Sequence, residues 1–181
     1  MTKTDTSEWK EFSIGDLFEI SRPAARSQTQ YAEGDVPFVA SGNFNNGVTK
    51  WCKPKSDELP DGGNCITVSP LDGSAFYQEK DFLGRGGAGS AILMLRNEFL
   101  NKLNGLFIST VIRRAMTKYK YSDQLNSESI SEERILLPTD AIGNPDWAYM
   151  DTFMSKMLDD AEVSLENLMQ VLSTPFPSTR A

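Results

Sequence analysis

The sequence contains no histidine. That absence removes the commonest general base, the Ser-His and Cys-His nucleophile arrangements and the most frequent metal ligand together. Carboxylate pairs or lysine can still do acid–base chemistry, so the weight of an enzymatic reading falls without vanishing. Cysteine is nearly absent as well. Cys52 and Cys65 have twelve residues between them and no second pair nearby, which indicates neither a zinc site nor a disulfide framework and fits two ordinary reduced thiols. No apolar run approaches the length of a bilayer span, and residues 1–7 are polar without a signal-peptide pattern, so the expectation is a cytoplasmic protein with no membrane attachment. No cofactor or metal motif is complete.

Positive charge is also in short supply: the net charge is −7. Its distribution matters more than its sum. Residues 1–98 carry 10 basic and 14 acidic groups, residues 99–122 carry five basic and no acidic ones, and residues 123–172 carry 11 acidic groups against Arg134 and Lys156. The acidity therefore belongs to the C-terminal part. An acidic scaffold is compatible with a locally basic face, because a bound anion feels the field at its contact surface.

What the chain does have is enough apolar residues for a core. With 181 residues, 39% apolar and 10% aromatic, it fits one globular domain plus an appendage. The expected fold class is α/β (α+β), a compact mixed or barrel-like sheet with an amphipathic helix, followed by a long coiled-coil-type helix. Residues 1–8 read as a flexible N-terminus, 9–142 as the domain, 143–173 as the C-terminal helix and 174–181 as a tail. Candidate strands fall at 18–21, 36–40, 48–51, 64–68, 75–77 and 91–95, separated by Gly42-Asn43, Asn45-Asn46-Gly47, Asp61-Gly62-Gly63, Asp72-Gly73 and Gly84-Arg85-Gly86-Gly87. Residues 98–116 change to helical spacing, with Phe99, Leu103, Leu106, Phe107, Val111 and Ile112 on roughly one face. Ile135-Leu136-Leu137-Pro138 is too short for a helix and reads as a buried strand-like segment leading out of the domain.

Gly143-Asn144-Pro145-Asp146-Trp147 then opens a heptad-patterned helix running to about Leu172. Trp147, Met154, Ala161 and Leu168 are seven apart, as are Met150, Met157, Ser164 and Val171, and seven of these eight positions are apolar. Pro145 suits the first turn, and Asp146 suits the positive end of the helix dipole. Leu158, Leu165 and Leu172 widen the stripe, and Pro175 and Pro177 stop the helix. Such a helix is about 40 Å long and predicts burial against a neighbour, either its own domain or a second helix.

In this order the pieces resemble the target recognition domain of specificity subunits in type I restriction-modification systems, including the related fused and two-subunit enzymes. The carrying motifs are Trp9-Lys10-Glu11-Phe12-Ser13-Ile14-Gly15-Asp16-Leu17-Phe18 and Val36-Pro37-Phe38-Val39-Ala40-Ser41-Gly42-Asn43-Phe44-Asn45-Asn46-Gly47-Val48. Lys120-Tyr121-Ser122, Ile135-Leu136-Leu137-Pro138 and Gly143-Asn144-Pro145-Asp146-Trp147 complete the set, over roughly residues 9–172. The resemblance implies a non-catalytic domain that reads half of a split double-stranded DNA target, with a long helix setting the spacing to a second domain. It also implies a methyltransferase partner subunit, with or without a nuclease subunit. One domain and one helix look like a half subunit, and homodimerisation through the helix would predict a palindromic bipartite target.

Under that resemblance several segments become contact candidates. Asparagine pairs with adenine N6 and N7, which favours Asn43 and Asn45, although Asn and Gly are also the default turn formers. Arg22 and Arg26 flank a polar loop and carry the side chain that most often reads guanine, though a plain surface loop fits equally. Gln78 at a strand end and Arg85 on the glycine-rich loop are further candidates. That loop lacks the Gly-Lys-Ser/Thr ending of a phosphate loop. Arg113, Arg114, Lys118, Lys120 and Tyr121 suit phosphate and sugar contact, or simply a solvated basic helix end. Asn144-Pro145-Asp146-Trp147 superficially matches the loop of amino-methyltransferases, but Asp146 and Trp147 depart from it and the helix-start reading prevails. The dimerisation seam would comprise Trp147, Met150, Met154, Met157, Ala161, Leu165 and Leu168. A competing reading is a protein-interaction or anti-restriction module that captures a methyltransferase subunit and does not bind DNA.

Overall fold

The computed structural model describes residues 5–87, 91–118 and 126–173. The chain is a mixed α+β fold in which β-strands pair into three small sheets, the first two on one hydrophobic core and the third on two smaller clusters. The first, β1 (Lys10–Ser13), pairs antiparallel with β9 (Arg134–Leu137), Lys10 opposite Leu137 and Phe12 opposite Ile135. Ile135 and Leu137 are buried while Arg134 and Leu136 face out, the period-two alternation of a half-buried strand. The segment expected to lead out of the domain is thus stitched to its N-terminal strand, and β1 itself has too little apolar alternation to stand out in the sequence.

The second sheet has the order β2 (Glu19–Ser21), β8 (Leu93–Arg96), β5 (Cys65–Val68), β6 (Ala75–Gln78), with every pair antiparallel. Its central strands are buried except at Arg96, with Ile66, Val68, Leu93 and Leu95 each at 0% exposure. Full burial of each such aliphatic side chain contributes about 1.5–3 kcal/mol. The third sheet is β4 (Val48–Cys52), β3 (Glu33–Val39), β7 (Leu83–Gly84). Here β3 and β7 run parallel, Phe38 beside Leu83 and Val39 beside Gly84. At two residues, β7 is too short to carry a periodic signal in the sequence.

Helix α2 (Lys102–Ala115) starts where a reciprocal capping box between Asn101 and Asn104 satisfies its first donors. Its Gly105 lies against the Tyr77 ring, where any Cβ would collide with the ring carbons, so glycine lets α2 sit close on β6. A short helix α1 (Ile14–Leu17) and a second capped helix, α3 (Ser127–Glu132), pack together through Gly15 against Ser131. Helix α3 carries no periodic signal in the sequence, because SESISE holds a single buried apolar residue, Ile130.

The long helix α4 (Trp147–Ser173) begins at Asp146, whose Oδ1 accepts from the Tyr149 backbone N–H at 2.8 Å. Asp146 is therefore the cap, and Pro145 directly precedes it. The opening turns dock on the domain through rings: Trp9 with Phe107 and Tyr149, Phe107 with Phe153, and Phe99 with Trp147, at 5.5 to 6.3 Å between centroids. Asp151 adds a polar latch, its carboxylate accepting from Asn101 Nδ2 at 3.0 Å and the Asn104 N–H at 3.1 Å at the N-terminus of α2, where the dipole favours negative charge. Met150 is fully buried, which corrects its assignment to an intermolecular seam; Trp147 and Met154 pack against the same core. From Met157 onward the helix leaves the domain, and Leu158, Leu165, Leu168 and Leu172 are 44 to 85% exposed.

Candidate functional site

The parallel pairing of β3 and β7 puts the loops that follow both strands at one end of the same sheet. The Arg85 N–H donates to the Val39 carbonyl at 2.8 Å, and the next residue, Ala40, donates to the Gly47 carbonyl at 2.9 Å. Loop 41–47 and Arg85 therefore share a root. Residues 23–25 lie against Gly84, Gly86 and Gly87, so close that a Cβ on Gly86 would strike the Pro23 and Ala24 carbonyls. Arg22 emerges beside this contact, exposed, with its Nε donating to Ser127 Oγ at 3.1 Å.

Loop 41–47 is braced from below. Asn45, Asn46 and Gly47 adopt consecutive positive φ values of 47°, 56° and 76°, a left-handed run that non-glycine residues rarely enter. The Asn46 amide donates to the Tyr77 carbonyl at 3.2 Å and to Gln78 Oε1 at 3.1 Å, while Gln78 Nε2 donates back to the Asn46 carbonyl and to Thr67 Oγ1, each at 3.0 Å. Gln78 is only 4% exposed, so its side chain is a buried strut under the loop and is not presented to a ligand. Asn45 turns its amide onto the Val48 carbonyl at 3.2 Å. Asn43 and Phe44 project at the tip, Phe44 with 82% of its surface exposed. Phe44 carries no functional signal in the sequence, where a lone aromatic among turn formers looks like an ordinary core residue.

The basic end of α2 joins this face through β6. Gly47 approaches the Phe76 ring, and the Arg113 guanidinium stacks over the same ring, 5.3 Å from its centroid. Arg113 and Arg114 are exposed in the last turn of α2. Lys118 closes the following turn, Met116–Lys118; Lys120 and Tyr121 lie outside the described residues. Contacts thus run continuously from Arg22 through Arg85 and loop 41–47 to Arg113.

Arg26 belongs to a different structure. Its guanidinium, buried with the residue at 9% exposure, donates to Glu58 Oε1 at 2.6 Å, Asp61 Oδ2 at 2.5 Å and the Leu59 carbonyl at 3.1 Å. These bonds commit its planar fork, which leaves no edge for a base. Burial opposes its charge, yet the Glu58 hydrogen bond and the two carboxylates together raise its pKa. Burial also works to raise the Glu58 pKa, and hydrogen bonds from Arg26 and Tyr31 outweigh it, so the carboxyl sits below its ordinary value. Burial, then the bond to Glu58, pushes the Tyr31 phenol up to about 12. Asp61 Oδ2 further accepts from the Gly84 N–H at 2.8 Å, so the cluster anchors the strand end that carries Arg85.

Among the described residues no group of three or more Cys, Asp or Glu side chains is arranged to hold a metal ion, and no helix is long and apolar enough to cross a membrane.

A family model described as the type I restriction modification DNA specificity domain matches residues 6–166. The curated protein "Type II restriction enzyme BgcI specificity subunit S.BcgI", from Heyndrickxia coagulans, is 30% identical over 152 residues, 82% of this chain and 43% of that protein. This chain therefore spans less than half the length of that relative. The solved type I restriction-modification S subunit from M. genitalium matches with a TM-score of 0.55 at 15% identity, over 91% of this chain and 44% of that one. The HsdS subunit from Thermoanaerobacter tengcongensis gives a TM-score of 0.54 at 16% identity, over 89% and 40%. Both likenesses are of fold, the mixed α+β domain with its long helix. With the family model covering the domain and most of α4, the chain belongs to the type I restriction-modification DNA specificity domain family.

Proposed function

We propose that the chain reads one half of a bipartite DNA target and directs partner methyltransferase and nuclease subunits to it, itself doing no chemistry. The observation that carries this reading is the convergence of Arg22, Arg85, the braced tip of loop 41–47 and the Arg113–Phe76 stack along one continuous set of contacts. Arginines at the two ends suit phosphate positioning, and an exposed asparagine on a stiff loop between them suits base readout. Lys118, Lys120 and Tyr121 follow Arg114 in the sequence and are assigned to phosphate and sugar contact. Arg26 and Gln78 act as supports.

The exposed part of α4 is the second functional surface. Met154, Leu158, Ala161, Leu165, Leu168 and Leu172 follow the alternating four–three spacing of a coiled-coil seam. Asp159, Asp160, Glu166 and Lys156 fall on the far side of the helix, so most of its charge lies away from the seam, with Glu162 at its border. We assign this seam to a second specificity helix, supplied by another copy of the chain or by a second domain, with the two helices fixing half-site separation.

The test is DNA binding as a function of salt. Each phosphate contact contributes about 0.9 to the slope of log K against log[salt], so Arg113→Ala with Arg114→Ala should shallow it by about 1.8 and weaken all sequences alike. Asn43→Ala should relax preference at one base position. A chain that binds a methyltransferase subunit but no duplex at low salt would favour the interaction-module reading instead.

A further inference from the structure

Phe44 is the most exposed aromatic side chain among the described residues. Its neighbours in the loop are Ser41, Gly42, Asn43, Asn45 and Asn46, so the loop itself offers no contiguous apolar patch of the kind that docks a protein. The backbone beneath it is nevertheless held in a strained left-handed run, with the Phe44 carbonyl accepting from the Gly47 N–H at 2.8 Å and the hydrogen bonds from exposed Asn46 to buried Gln78 and on to Thr67 locking the turn. Strain kept in place by surrounding hydrogen bonds pre-organises what the loop presents, and here that is a bare ring. The Phe76–Arg113 stack beside the loop supplies positive charge.

We propose that Phe44 is an apolar wedge that enters a base step of duplex DNA and partly unstacks it, with Asn43 reading the adjoining base edge and Arg113 holding the backbone. This rests on the DNA-recognition reading above and specifies how its loop works. Apolar side chains inserted between base pairs kink the duplex, and pyrimidine–purine steps unstack most easily, so such a step belongs at the position Phe44 enters.

The experiment selects duplexes from a randomised pool with the full chain, alone and with a methyltransferase subunit, then places 2-aminopurine at each position of the enriched half site. Unstacking brightens this base. Binding of the wild-type chain and of Phe44→Leu, which keeps a wedge, should brighten one step, and Phe44→Ala should leave it dark. Phe44→Ala should also bind the enriched duplex about ten- to a hundredfold more weakly while keeping its affinity for random duplex. Thermal melting of Phe44→Ala should match wild type, since the ring touches no core. Enrichment without brightening at any step, or equal brightening by Phe44→Ala, overturns the wedge and leaves DNA recognition standing. Loss of subunit association by Phe44→Ala with DNA affinity intact also overturns it. Failure to enrich any duplex overturns DNA recognition and the wedge together.

Discussion

Arg26 separates a sequence-level expectation from a structural role, and Arg26→Ala decides between them. In the fold the substitution removes hydrogen bonds to Glu58, Asp61 and the Leu59 carbonyl and leaves two carboxylates facing each other, with side chains 18% and 14% exposed. Removing one partner of a buried pair costs about 3–5 kcal/mol, and residual solvent at both acids places this case near 3 kcal/mol. For a domain of this size that is a drop of about 6–12 °C in Tm. The loss should depend on pH. Because the folded Glu58 pKa lies below its ordinary value, its contribution is present above the ordinary carboxylate range and disappears as pH falls through the folded value. Urea titrations of both proteins should therefore show a gap that is widest at pH 7 and narrows toward pH 4. The enriched DNA sequence should not change. A gap under about 1 kcal/mol, independent of pH, or an unchanged Tm with altered base preference, would refute the structural role and return Arg26 to the reading surface.

Met150 and Leu168 should behave oppositely although both lie on one heptad pattern. Met150→Ala should cost about 2–5 kcal/mol in urea denaturation because the residue is 0% exposed, whereas Leu168→Glu at 60% exposure should leave stability intact and reduce the mass found by light scattering. Gly105→Ala should destabilise by about 1–3 kcal/mol, since its Cβ would overlap the Tyr77 ring and push α2 off β6, a change visible in Tm. Burial pushes the Cys65 thiol up to about 11, and both cysteines are 0% exposed, so neither should react with a thiol reagent at pH 8 until the protein unfolds.

Long periodic segments were legible in the sequence. The α2 face and the α4 heptads repeat over several turns, and strands β5, β6 and β8 are apolar enough to announce themselves. Two-residue β7 and the polar strand β1 were not, because their pairing comes from distant partners and leaves no local pattern. Heptad spacing likewise does not say which neighbour covers a residue. Met150 is covered by its own domain and Leu168 is left exposed, a distinction made by the ring cluster around Trp9 and Phe107. At the candidate site, residue type located the right loops without resolving orientation. Gln78 and Arg26 carry the chemistry of base readers but turn inward to amide and carboxylate partners thirty or so residues away.

The most direct test of the central claim is hydrogen exchange of the full chain with and without an enriched duplex. A DNA-reading face made of loop 41–47, the Arg22 and Arg85 loops and the end of α2 predicts slowed exchange in residues 41–47, 84–87 and 113–118, with the distal part of α4 unchanged by DNA alone. Protection confined to α4, with loop 41–47 exchanging as before, would contradict it.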